Sequence, residues 1–124
     1  MLYQNLSYQI ISACIAVHNS IGPGLAEHCY HKALELEFKR RNIKAVSEQP
    51  FVVRHLGNEV GKYFADLVIE DKIILELKLV LQLTSNHQSQ LMNYLRISGF
   101  KLGFLFNFQN ENLKWERFAG KPYI

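Results

Sequence analysis

Residues 63–80, YFADLVIEDKIILELKLV, read as two strands of a hairpin with charges where apolar residues belong. Asp66 lies between Phe64-Ala65 and Leu67-Val68-Ile69, while Glu76 and Lys78 interrupt Ile73-Ile74-Leu75, Leu77 and Leu79-Val80. A half-buried charge costs several kcal/mol unless it is paired, hydrogen-bonded or bound to metal, so this cluster is either compensated or functional. Strand alternation predicts Phe64, Asp66 and Val68 on one face, and Ile74, Glu76 and Lys78 on one face of the next strand. A loop of Glu70-Asp71-Lys72 closed by Ile69 and Ile73 sets Asp66 across from Glu76, with Lys78 one step along the same face. A two-residue loop instead puts the two carboxylates on opposite faces. Like charges directly opposite repel. A divalent cation between them reverses the sign, and Lys78 can offset one charge without it.

The remainder of the chain bounds the answer. With 124 residues, 48% hydrophobic and 20% charged, it has the composition of one globular domain over 1–124 with a real core. The net charge of +3 and pI near 8.9 permit a polyanionic partner without requiring one. The apolar runs fall far short of the ~20 residues of a membrane span. The start, MLYQNLSYQ, has neither a basic n-region nor an apolar h-region, so no signal peptide is expected and the expected location is cytoplasmic. Cys14 and Cys29 fall inside predicted helices and are expected as reduced, small hydrophobes.

Upstream of the hairpin, Leu6, Ile10, Ile11, Cys14, Ile15, Val17 and Ile21 recur at helical spacing from about Asn5 to Ser20. Ile21-Gly22-Pro23-Gly24 stops that helix. A second helix is predicted from about Leu25 to Arg41, and Lys39-Arg40-Arg41 in its last turn complement the dipole, with nucleic-acid contact as the alternative. Glu27 falls on the stripe of Tyr30, Leu34 and Phe38, which should meet a sheet. It is either a first-turn acid facing water or a further carboxylate aimed at the hairpin's cluster. Val46 to His55, with Pro50 marking an edge or bulge, and the strand from Val60 into Asp66 join the hairpin in a three-stranded meander, with Leu56-Gly57-Asn58-Glu59 as the turn.

Downstream, Thr84 or Ser85 caps a third helix that runs to about Ile97 and ends at Gly99. Its His87, Gln90 and Tyr94 form one polar stripe, fit either to line a groove or to mark the boundary between core and solvent. Leu102 to Phe106 is apolar on both faces and predicts a central strand, pairing parallel to an earlier one through the helical crossover. After a turn at Asn110-Glu111-Asn112, Leu113 to Phe118 predicts an edge strand. Trp115 and the phenylalanines are expected in the core rather than as base-stacking platforms.

Taken together, Glu27, Asp66, Glu76-x-Lys78 and Gln90-x-x-x-Tyr94 resemble the motifs of the PD-(D/E)XK nuclease superfamily. The resemblance is closer to the small bacterial GxxExxY proteins, whose namesake motif is matched by Gly24-Leu25-Ala26-Glu27-His28-Cys29-Tyr30. It runs from about Ile10 to Phe118 and takes in Tyr63-Phe64-Ala65-Asp66 and the Leu102-Gly103 segment, with Ala65 standing where the nominal motif has proline. The fold it implies is α/β and restriction-endonuclease-like, a mixed central sheet of about four or five strands flanked by three helices. It implies that Asp66 and Glu76 hold a metal, that Glu27 joins them directly or through water, and that Lys78 positions or activates the attacking water. Gln90 and Tyr94 match the additional motif beside the active site of RecB-type nucleases.

The implied chemistry is phosphodiester hydrolysis of nucleic acid, DNA first. Hard oxygen donors favour Mg²⁺ or Mn²⁺ over Zn²⁺. A lysine beside such an ion can serve as a base or hydrogen-bond the water or phosphate as a cation. The alternative is a non-cleaving module on the same fold that binds nucleic acid or protein, with the carboxylates a salt-bridged remnant. A chain with little beyond the core fold calls for a homodimer or a protein partner to grip substrate. A zinc site built from Cys14 and His18, or from His28, Cys29 and His31, lacks regular ligand spacing.

Overall fold

The computed structural model describes residues 2–120; Met1 and residues 121–124 of the expected domain lie outside the described residues. The elements run α1 (Gln4–Ile21), α2 (Glu27–Arg40), β1 (Ala45–His55), β2 (Asn58–Ile69), β3 (Ile73–Lys78), α3 (Ser85–Ser98), β4 (Leu102–Asn107) and β5 (Lys114–Ala119). They form one sheet in the order β1-β2-β3-β4-β5, antiparallel except where β4 returns through α3 to pair parallel with β3. This is the expected α/β, restriction-endonuclease-like arrangement of three helices on a mixed sheet.

The inner strands explain the layering. IILELK and LGFLFN are buried almost throughout, so both faces need a cover. On one face Ile10, Cys14 and Val17 of α1 and Tyr30, Leu34 and Phe38 of α2 pack on Leu67, Ile69, Leu75 and Phe104. On the other, Leu91, Tyr94 and Leu95 of α3 pack on Val68, Ile74 and Leu105. The helix crosses β4 closely enough that a Cβ on Gly103 would stand 2.8 Å from Leu91 Cδ1 and 3.3 Å from the Ile74 carbonyl oxygen. Gly103→Val is therefore expected to lower stability by about 1–3 kcal/mol in denaturant melts. Leu91→Ala in the same chain makes room for the new methyls, so the double variant should lose less than the sum of the two single losses.

The decisive loop is the three-residue one. Ile69 pairs with Ile73, Val68 with Ile74 and Leu67 with Leu75, leaving Glu70-Asp71-Lys72 as the connection. Glu70 and Asp71 take left-handed φ values of 53° and 55°. The loop is tied to the start of β1, where Glu70 N–H donates to Lys44 O at 2.9 Å and Lys44 Nζ meets Asp71 Oδ2 at 2.9 Å.

One expectation is corrected. Phe64 does not share a face with Asp66 and Val68: it is 49% exposed, and Ala65 joins Val68 in the cluster beneath α3. Alternation slips at this point because β1 is distorted opposite it. Glu48 has a φ of 54°, and the ladder passes from Ser47 with Leu67 to Gln49 with Ala65, with no pair at Glu48 and Asp66. α2 also starts later than predicted, with Ala26 extended as N-cap and Glu27 as the first helical residue. No helix among the described residues is long and apolar enough to cross a membrane.

Candidate active site

Beyond Leu67 and Leu75 the β2–β3 ladder ends, and side chains replace main chain as acceptors. Asp66 N–H donates to Glu76 Oε2 at 2.9 Å, and Leu77 N–H donates to Asp66 Oδ2 at 2.8 Å. The strands are thus held by the carboxylates that the three-residue loop sets across from each other. Glu76 is only 3% exposed, and burial followed by the Asp66 charge pushes its carboxyl up to about 9. At neutral pH the pair therefore shares a proton in the absence of a cation.

α3 closes over this pair. Lys78 at the end of β3 donates from Nζ to Gln90 Oε1 at 2.7 Å, and Gln90 Nε2 reaches the Tyr94 hydroxyl at 3.5 Å. Burial, and then the charges of Glu76 and Asp66, raise the Tyr94 phenol. Gln90 and Tyr94 thus line the site. His87 does not: its Nδ1 accepts the Thr84 N–H at 2.9 Å and caps the start of α3.

Glu27 is placed differently from the other candidates. Tyr30, Leu34 and Phe38 of its stripe are buried, but Glu27 is exposed, because the stripe leaves the sheet at the first turn of α2. Desolvation raises its carboxyl and Asp66 raises it further, while Lys78 and His31 pull it down. Its field therefore reaches the pair, though no hydrogen bond joins it to Asp66 or Glu76. Among the described residues no group of three or more His, Cys, Asp or Glu converges to hold a metal ion, so Asp66 and Glu76 stand as two. Two hard carboxylates, the half-buried Asp66 and the buried Glu76, nonetheless fit Mg²⁺, which binds through one or two carboxylates and keeps several waters. They do not fit a soft metal, and His18, His31 and Cys14 are engaged or buried elsewhere. His18 Nε2 contacts Asn110 O at 2.8 Å, His31 Nε2 contacts Ser47 Oγ at 2.9 Å, and burial drives the Cys14 thiol well up.

Tyr30, read from the sequence only as a sheet-facing residue and the end of the GxxExxY match, and Phe108, which that reading passed over, hold the frame. The Tyr30 hydroxyl donates to Gly22 O at 2.6 Å and accepts the Leu25 N–H at 3.0 Å, closing the loop that leads into Glu27. Its ring stacks on Phe108, with centroids 4.6 Å apart. Phe108 O accepts the Gly24 N–H at 3.2 Å, and Phe108 N–H donates to Lys78 O at 3.0 Å. Phe108 therefore links the loop before Glu27 to the strand end that carries Lys78. The terminal tyrosine of the GxxExxY match was the available signal for this frame. Tyr30→Phe keeps the ring stack and removes the bridge. It is expected to cost about 1–2 kcal/mol in denaturant melts and to speed amide hydrogen exchange at Leu25, with the Asp66–Glu76 pair undisturbed.

A family model of the PD-(D/E)XK nuclease superfamily matches residues 4–118. The comparison with curated proteins gives no match. Among solved structures, the crystal structure of SSO0001 aligns with a TM-score of 0.61 at 20% identity, over 98% of this chain and 59% of that one. That similarity is one of fold alone, and this chain spans less than two thirds of the larger protein.

Proposed function

This chain belongs to the PD-(D/E)XK nuclease superfamily, and from that premise we propose a metal-dependent nuclease of the GxxExxY branch that cuts DNA. In this reading residues 1–124 form one cytoplasmic domain, Asp66 and Glu76 hold Mg²⁺ or Mn²⁺, and Glu27 joins them through water. The carrying observation is the Asp66–Glu76 pair, two carboxylates from adjacent strands forced together where one is too buried to ionise beside the other. A bound Mg²⁺ or Mn²⁺ supplies the countercharge for both, neutralises charge on the phosphate and acidifies its bound water. Lys78, aimed by Gln90 at 2.7 Å, orients the attacking water and takes its proton, or contacts the phosphate as a cation. Tyr94 backs Gln90 and screens the pair from solvent. A second copy of the chain or a protein partner completes the grip on substrate.

The test is calorimetric titration of Mg²⁺ and Mn²⁺ into wild type and into Asp66→Ala/Glu76→Ala, followed by assays on labelled DNA and RNA. Wild type is expected to bind metal and cut DNA, and the double variant to do neither. A folded wild type that binds no metal sinks the proposal.

One observation favours a second reading. Each carboxylate also satisfies a main-chain N–H, the task of a purely structural acid. A non-cleaving module that binds nucleic acid or protein would keep its partner in EDTA, with no metal taken up in the titration.

A further inference from the structure

β2 pairs with β3 only as far as Leu67, whereas β1 and β2 continue as a two-stranded ribbon out to His55 and Asn58. α3 lies along the inner side of this ribbon. Tyr94 meets Tyr63 edge to face with centroids 5.9 Å apart, and Phe51 meets Phe100 at 5.6 Å. Between helix and ribbon opens a groove of about 530 Å³ with Arg54, Tyr63, Asn93 and Arg96 on its walls and Val53 and Ile97 as apolar floor. Tyr63 is 48% exposed, and Arg54 and Arg96 are exposed, Arg96 also donating to Asn93 Oδ1 at 3.0 Å.

The groove continues the candidate active site. Tyr94 of the site meets the groove's Tyr63 edge to face, and Tyr63 precedes Asp66 by three residues, about 10 Å along a strand. An exposed aromatic ring in a groove that also carries two guanidinium groups suits a strand whose bases are free to stack and whose phosphates are spaced along it. Glu59 pairs with Arg54 across the ribbon but is not among the groove's lining residues. A duplex hides its base faces within its own stack and offers Tyr63 nothing to cover.

We propose that this groove seats single-stranded nucleic acid leading away from the site, with a base on Tyr63 and phosphates on Arg54 and Arg96. The assignment rests on the nuclease reading for the direction of the strand but not for its binding. The Tyr63 ring then selects for unpaired ends or gaps, and the arginines carry the salt-dependent part of the affinity.

Fluorescence anisotropy in EDTA, with a labelled short single strand and a labelled hairpin duplex, tests it without cleavage. Tyr63→Ala is expected to weaken single-strand binding at least about fivefold, and Tyr63→Phe to bind as wild type. Arg54→Ala should flatten the slope of log affinity against log salt by about 0.7, the value for one phosphate contact on a single strand. Duplex binding should change little in all three. Equal losses on duplex, an unchanged single-strand affinity in Tyr63→Ala and Arg54→Ala, or no single-strand binding by wild type would overturn the assignment. Cleavage assays in Mg²⁺ separate the two readings. If wild type cuts and the groove variants match it in KM, the groove fails and the nuclease stands. If wild type binds the strand through Tyr63 and Arg54 yet cuts nothing, the nuclease fails and the groove stands.

Discussion

Lys78→Ala is expected to yield a folded protein whose metal-dependent cleavage of labelled DNA is about 10²- to 10⁴-fold slower than wild type, the range for loss of a positioned proton-transfer group. The fold should tolerate the change. Lys78 is the last residue of β3 and half-buried, and the neighbouring Leu77 supplies the core contact at that strand end. Its hydrogen-bonded partner, Gln90 Oε1 at 2.7 Å, is on an exposed residue and can turn to water. Melting temperature and circular dichroism should therefore show a loss of no more than about 1 kcal/mol. Lys78→Arg separates the two roles open to this residue. Arginine keeps the charge but holds its proton at any working pH, so retained cleavage identifies a cation that contacts phosphate and lost cleavage identifies a proton acceptor. Full cleavage by folded Lys78→Ala removes Lys78 from the mechanism altogether.

Glu76→Gln should stabilise the metal-free protein at alkaline pH while abolishing metal binding. In the folded chain burial and Asp66 hold the Glu76 carboxyl at about 9, against an ordinary value of 4.5. Between those limits the folded state carries a proton that the unfolded chain has released, so wild-type stability falls as pH rises across this window. The contribution is fully present below about 4.5 and gone above about 9. Glutamine mimics the protonated acid: its oxygen can accept the Asp66 N–H, and its amide can donate to the Asp66 carboxylate. Its stability should stay level over the same range and exceed that of wild type near pH 9 by an amount on the order of a few kcal/mol. Urea melts in EDTA from pH 5 to 9 measure both curves, and parallel curves would show that Glu76 does not titrate there. Mg²⁺ competes with the same proton. Its affinity for wild type should rise with pH through this window, with proton release detectable by calorimetry in buffers of different ionisation enthalpy.

Much of the architecture was legible because it rests on short-range patterns. The helical spacing from Leu6 to Ile21, the Gly22-Pro23-Gly24 stop, the turn at Leu56-Gly57 and the αL glycine at Gly99 act within a few residues of themselves, and each element appeared within two residues of its expected bounds. The apolar run Leu102 to Phe106 of β4 announced its burial on both faces for the same reason. The carboxylate pair was legible up to one choice, since a three- or two-residue loop decides whether Asp66 and Glu76 meet. The anchoring of Glu70 and Asp71 to Lys44 belongs to the first option.

What the sequence determined by itself is therefore the order of elements, the residue types on each, and the presence of uncompensated acids among apolar strand residues. Three things were decided only in the assembled fold. The slip at Asp66, between Ala65 and Val68, depends on Glu48 of another strand, whose left-handed φ the neighbouring Pro50 signalled only as an edge or bulge. The exposure of Glu27 depends on where the sheet ends beneath α2, which periodicity along one helix does not encode. The proton on Glu76 depends on how far α3 and β4 exclude water from it and on the distance to Asp66. Burial and Coulomb energy are properties of neighbours in space, and these neighbours lie up to several tens of residues apart along the chain.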